Sequence, residues 1–145
     1  MTMSEHFAPF DGAKVAILRG GDVLTLLRDD RPDIPYPAQW DLPGGGREGD
    51  ETPFETLSRE VFEELSLTLD PAQVIYHAEE RGHVDPVTVV HFFVLRWDEL
   101  SDAQIKLGDE GQGCAWMEAR AFIMREDAVN PLRGRLTRAL DALGL

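Results

Sequence analysis

Basic residues are scarce in this sequence: 14 lysines and arginines stand against 27 aspartates and glutamates, for a net charge of −13. With no basic stripe to neutralise phosphates, nucleic-acid polymers and anionic membranes are poor partners. Cysteine is nearly absent. Cys114 is the only one, which excludes an intramolecular disulfide and a cysteine-based zinc site, and it reads as a buried structural thiol. No stretch approaches the ~20 apolar residues of a membrane span, and the N-terminus has no basic segment followed by an apolar one. The expectation is a cytoplasmic protein. No Gly-Lys-Ser/Thr follows the glycine-rich stretch Gly44-Gly45-Gly46, so it is not a phosphate-binding P-loop. His77, His83 and His91 are too scattered for a metal triad and read as strand-surface or internally satisfied side chains.

What is present is one domain's worth of globular chain. The 145 residues are 43% hydrophobic and 8% aromatic, enough for a real core and unlike a disordered composition. Residues 1–145 are read as a single domain. Ala13 to Leu18 and Val23 to Leu27 are apolar runs around Arg19-Gly20-Gly21-Asp22, a hairpin signal. Asp29 to Ala38 carries Pro32, Pro35 and Pro37 and reads as a long loop of the kind that forms binding rims. Gln39 to Leu42 is a short strand leading to a glycine turn. Val74–Arg81 and Val87–Trp97 read as two strands, the second buried on both faces. Cys114 to Met117 is a short strand. Leu132, Leu136, Leu140 and Leu143 repeat at helical spacing, with Arg133, Arg135 and Arg138 off the stripe and read as solvent-facing. This order gives an α+β fold, a mixed sheet with a helix on each face.

The chain is organised around Gly45 to Leu67. Thr52, Pro53 and Glu55 carry the signature of a helix start, an N-cap with a Thr-x-x-Glu capping box. At 100° per residue, Phe54, Leu57, Val61 and Leu65 share one face, and Glu60, Glu63 and Glu64 lie opposite. Three carboxylates at these spacings repel one another by a few tenths of a kcal/mol per pair. A hard divalent cation such as Mg²⁺, which prefers oxygen ligands shared with substrate phosphates, removes that cost.

These positions also resemble a known pattern. Gly45, five residues, Glu51, seven residues, then Arg59-Glu60-Val61-Phe62-Glu63-Glu64, with Leu67 closing, resembles the Nudix box over 23 residues. Ser66 departs from it, standing where the family has glycine. The resemblance implies the Nudix α/β/α sandwich and hydrolysis of nucleoside diphosphate derivatives with Mg²⁺ or Mn²⁺. It implies that Glu60, Glu63, Glu64 and the Gly45 carbonyl hold the metal, with Arg59 orienting the carboxylates. Because the family glycine adopts a left-handed conformation costing other residues about 1–2 kcal/mol, Ser66 implies a strained or reshaped helix end.

A second patch, Gly108-Asp109-Glu110-Gly111-Gln112-Gly113, looks like the segment before the last strand of MutT-type nucleoside triphosphate pyrophosphohydrolases. By that likeness Glu110 joins the metal cluster or acts as base alongside Glu60, and Asn130 recognises the base; Asn130-Pro131 reads equally as an ordinary helix cap. Arg28, at a strand end near the box, and Arg47, after the glycines, are candidates for phosphate contact. The expected substrate is a small nucleotide, a nucleoside triphosphate yielding monophosphate and pyrophosphate, and the expected state is a monomer or homodimer. The alternatives are an ADP-ribose, nucleotide-sugar or dinucleoside polyphosphate hydrolase, or a catalytically silent nucleotide-binding module.

Overall fold

Alternation along one strand sets the layers. In β1 (Gly12–Arg19), Ala13, Val15 and Ile17 face one side of the sheet, and Ala16 and Leu18 face the other. The computed structural model describes residues 8–82 and 87–145, so His83 and most of the expected turn around it lie outside the described residues. β2 (Asp22–Leu27) returns antiparallel to β1 through the expected hairpin, and β3 (Trp40–Asp41) pairs with β2. The expected glycine turn is instead a short strand, β4 (Gly44–Gly46), antiparallel to β1. Glycine is required there by space as well as torsion: Gly44 sits at φ +128°, and a Cβ on it would lie 2.1 Å from the Ala13 carbonyl oxygen.

β5 (Val74–Arg81) and β6 (Val89–Arg96) are antiparallel, and β6 lies parallel to β1 in a seven-stranded mixed sheet ordered β3-β2-β1-β6-β5. β7 (Gly113–Glu118) pairs with β2. On one face, α1 (Pro53–Leu65) buries Leu57, Val61 and Leu65 against Val15, Ile17, Phe93 and Leu95. On the other, α2 (Ala119–Met124) and α3 (Asn130–Leu143) cover Ala16, Leu18, Phe92 and Val94 with Phe122, Leu132, Leu136 and Leu140. Truncating any of these fully buried leucines to alanine costs about 2–5 kcal/mol. The leucine stripe of α3 is therefore buried as expected, whereas α2, six residues long, carries too little periodicity to be read in advance.

A second expectation is overturned. Arg135 is not solvent-facing; it is 9% exposed, because the space beside the leucine stripe is roofed by the neighbouring elements. Among the described residues no helix is long and apolar enough to cross a membrane.

Candidate active site

α1 begins as its sequence dictates. Thr52 Oγ1 accepts from the Glu55 N–H at 3.2 Å and Glu55 Oε1 accepts from the Thr52 N–H at 2.8 Å, closing the capping box. At the other end Ser66 takes the left-handed conformation at φ 59°, ψ 28°, its N–H donating to the Phe62 carbonyl. This is the strained helix end anticipated from the missing glycine. Its Oγ donates to the Lys106 carbonyl at 3.1 Å, giving the strained residue a role in holding the following loop.

Between these ends Arg59 gathers the acids. Its Nε and Nη2 donate to the two carboxylate oxygens of Glu51 at 2.8 and 3.1 Å, a two-pronged pair. Nη1 reaches Glu60 Oε1 at 3.1 Å and Glu63 Oε1 at 3.3 Å, and Nη2 also donates to the Gly46 carbonyl at 2.7 Å. The guanidinium holds the Glu51 carboxyl well below its usual range, at about 2, and its own pKa rises further. Arg59 thereby ties helix, glycine strand and the preceding loop together.

Gly45 and Glu60 are in direct apposition: a Cβ at Gly45 would lie 2.5 Å from the Glu60 carboxyl carbon. One residue earlier, the Gly44 N–H donates to Glu64 Oε1 at 2.8 Å. Glu64 is largely buried, and burial pushes it up to about 7, with Lys14 and the Gly44 N–H opposing the rise. Glu63 is the most open, its side chain 55% exposed.

The loop after β6 closes over the end of α1. The N–H groups of Lys106 and Gly108 donate to the Leu65 and Glu64 carbonyls, both at 2.9 Å, using acceptors that every helix end leaves unpaired. Glu110 is thereby brought to a cavity of about 140 Å³ that Glu64, Arg28, Asp41 and Leu26 also line. Arg28 spans the rim, donating to Asp41 Oδ2 at 2.8 Å and to the Pro35 carbonyl at 2.9 Å. Arg47 instead donates to the Glu51 carbonyl at 2.9 Å and stacks over Phe10, 4.2 Å from the ring centre. Asn130 is exposed; it opens α3, whose cap position is Val129, and it lines a separate cavity with Arg81, Met124 and Arg133.

Two site residues escaped the sequence reading. Lys14 is the lone charge inside the first apolar run, and its Nζ donates to Asp41 and to the Leu42 and Gly44 carbonyls at 3.1–3.2 Å. Asp41, 6% exposed, joins Lys14 to Arg28. A lysine interrupting a buried strand, and an aspartate between Trp40 and Leu42, were the available signals. Away from this site, His77 Nε2 and His91 Nδ1 share a hydrogen bond of 2.7 Å at the edge of the α1 face.

The donor set fits a hard divalent cation. Glu60, Glu63 and Glu64 offer only oxygens, and Gly45 leaves room for close approach. Among the described residues no three acidic, histidine or cysteine side chains converge on one point, since Glu60 and Glu63 are turned onto Arg59.

Comparison with known proteins gives a consistent family. Residues 9–140 match the family model described as the NUDIX domain. A nucleoside triphosphatase NudI from Enterobacter sp. (strain 638) is 32% identical over 105 residues, 68% of this chain and 73% of the relative. An RNA pyrophosphohydrolase from Acidiphilium cryptum (strain JF-5) is 45% identical over 51 residues, 34% of this chain but only 30% of the relative's length. Among solved structures, a MutT protein from Methanosarcina mazei Go1 superposes with a TM-score of 0.72 at 24% identity, covering 94% of this chain and 96% of that one. An Ap4A hydrolase from C. elegans superposes at 0.68 and 23% identity, covering 91% and 96%. These two share the fold.

Proposed function

The chain belongs to the NUDIX domain family, hydrolases of pyrophosphate bonds, and we propose that its substrate is a nucleoside triphosphate cleaved to monophosphate and pyrophosphate. The observation that carries this reading is the shared cavity. Glu64 of the box helix, Glu110 of the overlying loop and Arg28 of the strand end line one space, joining a cation-binding acid, a candidate base and a phosphate-sized cation.

Glu60, Glu63, Glu64 and the Gly45 carbonyl would hold Mg²⁺ or Mn²⁺. When bound, the metal neutralises phosphate oxygens and lowers the pKa of a water. The chain's own residues divide the remaining work. Arg28 keeps its guanidinium at the cavity rim through Asp41 and donates to a phosphate oxygen. Glu110 takes the proton of the attacking water, with Glu60 as the other carboxylate suited to that step. Arg59 acts one layer back, fixing Glu51, Glu60 and Glu63 by charge-assisted hydrogen bonds. Arg47 takes part through Glu51 and the glycine strand, whereas Asn130 lines a separate cavity and has no part in this arrangement. A mononucleotide is favoured over RNA by the net charge of −13, which leaves no basic track for a polymer.

The test is a product-resolved panel with Mg²⁺ and Mn²⁺: nucleoside triphosphates, ADP-ribose, dinucleoside polyphosphates and 5′-triphosphorylated RNA. Pyrophosphate released from nucleoside triphosphates as the fastest reaction is expected. Turnover confined to ADP-ribose, dinucleoside polyphosphates or RNA overturns the assignment.

A further inference from the structure

A third cavity, about 360 Å³, opens on the α3 face of the sheet. Arg28 and Asp41 line it as well as the catalytic cavity, so the two spaces meet at the same pair of side chains. Its volume is in the range of roughly 300–1,000 Å³ typical of small-ligand sites. Its walls are largely apolar, with Tyr36, Val129 and Leu132, and Arg135 lines it from the second turn of α3.

Arg135 is unusual for an arginine. It is 9% exposed, and among the described residues its one hydrogen bond runs from Nη2 to the Arg81 carbonyl at 3.2 Å, with no carboxylate in ion-pair contact. The neighbouring acid, Glu80, is engaged by Arg138 instead. Burial lowers the Arg135 pKa, the mark of a cation stripped of water without full compensation. A guanidinium has five donors in a fixed fork, and most of this fork has no acceptor among the described residues, in a side chain that lines both this cavity and the neighbouring one.

We propose that this cavity is the nucleobase subsite and that Arg135 selects the base, favouring guanine over adenine. The inference rests on the nucleoside triphosphate reading and adds the base to it. Guanine presents O6 and N7 as adjacent acceptors, which a guanidinium fork meets with two hydrogen bonds. Adenine places an amino group at the same edge, setting donor against donor. With the phosphates at Arg28 and Glu110, the sugar and base extend across Asp41 towards α3, where the apolar walls cover the base faces. Asn130, on the far side of Arg135, lines the neighbouring cavity and not this one.

The test compares kcat/KM for GTP and ATP in the wild type, Arg135→Met and Arg135→Lys, with GMP and AMP binding followed by intrinsic tryptophan fluorescence. The expected wild-type preference for GTP is about tenfold or more, expressed in KM, as for a good two-pronged contact. In Arg135→Met the ratio should fall to within about threefold, with Arg135→Lys, which keeps the charge but not the fork, in between. A ratio taken within one variant cancels any loss of folded protein, which a purely structural Arg135 would leave unchanged. Equal wild-type use of GTP and ATP, or an undiminished ratio in Arg135→Met, overturns the subsite. Should Arg135→Met fail to fold, the wild-type ratio and Arg135→Lys decide alone. If no nucleoside triphosphate is hydrolysed, the functional reading falls, and the subsite stands or falls on whether GMP binds at least about tenfold more tightly than AMP.

Discussion

On the α1 face of the sheet, Arg59 is surrounded by acids. Glu51, Glu60 and Glu63 all hydrogen-bond to it, and their repulsion is screened within the protein. On the α3 face, Arg135 is buried where Arg59 is only half-buried, yet it holds a single long bond to a backbone carbonyl. The same side chain thus serves two ends. Where an arginine's donors are consumed internally it fixes geometry; where they are left over in a cavity, as proposed for Arg135, they can serve a ligand. In the proposed reading the α1 face carries the chemistry and the α3 face the discrimination; Arg28 and Asp41 line the cavities on both sides.

The strongest way to break this division is to remove the acids themselves. Glu63→Gln and Glu64→Gln should each lower turnover by about 10²–10⁴-fold, and excess chelator should abolish it, while thermal melting shows both variants folded. An amide keeps the size of a carboxylate and loses the charge that attracts a hard cation. Near-normal turnover in both, or activity undiminished in chelator, sinks the metal assignment.

Glu110→Gln separates the loop from the helix. Turnover should drop by about 10–10⁴-fold with the melting temperature almost unchanged, since Glu110 is exposed and structurally uncommitted. A wild-type rate would confine the chemistry to α1.

Arg59→Ala tests the internal use of a cation. It should cost about 1–3 kcal/mol in lost charge-assisted hydrogen bonds, a fall of about 3–8 °C in melting temperature, together with activity. If melting and rate are both retained, Arg59 is a surface residue and the contrast with Arg135 disappears.

The smallest effect lies at the edge of the α1 face. Burial holds both His77 and His91 below the usual imidazole value of 6.5, outweighing the nearby Glu79. The folded protein therefore binds fewer protons there than the unfolded chain. The stabilisation is complete above about pH 7 and is lost as pH falls through 6.5 towards the depressed values. Melting temperature should decline over that window, and the slope should flatten in a His77→Gln, His91→Gln double variant. An unchanged slope in the double variant assigns the decline to other groups.

The box helix was legible because its signals are local. A cap, a proline, a four-residue apolar period and three acids lie within a few turns of one another, and each was found in place. β4 was misread as a turn because three glycines carry no side-chain pattern; it is a strand because Gly44 lets β1 approach. Lys14 and Asp41 were overlooked because their meaning depends on strands that meet only in the fold. Arg135 was misassigned for a related reason. Periodicity identifies the face of α3 that the sheet covers, but not a cavity beside that face.

The loop bearing Glu110 is fastened to α1 by two amides, those of Lys106 and Gly108, which bond to the last carbonyls of the helix. Gly108 also runs so close that a Cβ there would lie 2.3 Å from the Glu63 carbonyl oxygen. These two amides are therefore natural gauges of loop attachment. Their deuterium uptake measures how often the loop lifts from the helix, independently of whether catalysis occurs. Occupancy of the cavity beneath Glu110 should slow that uptake, so the loop's own backbone reports ligand binding without any added label.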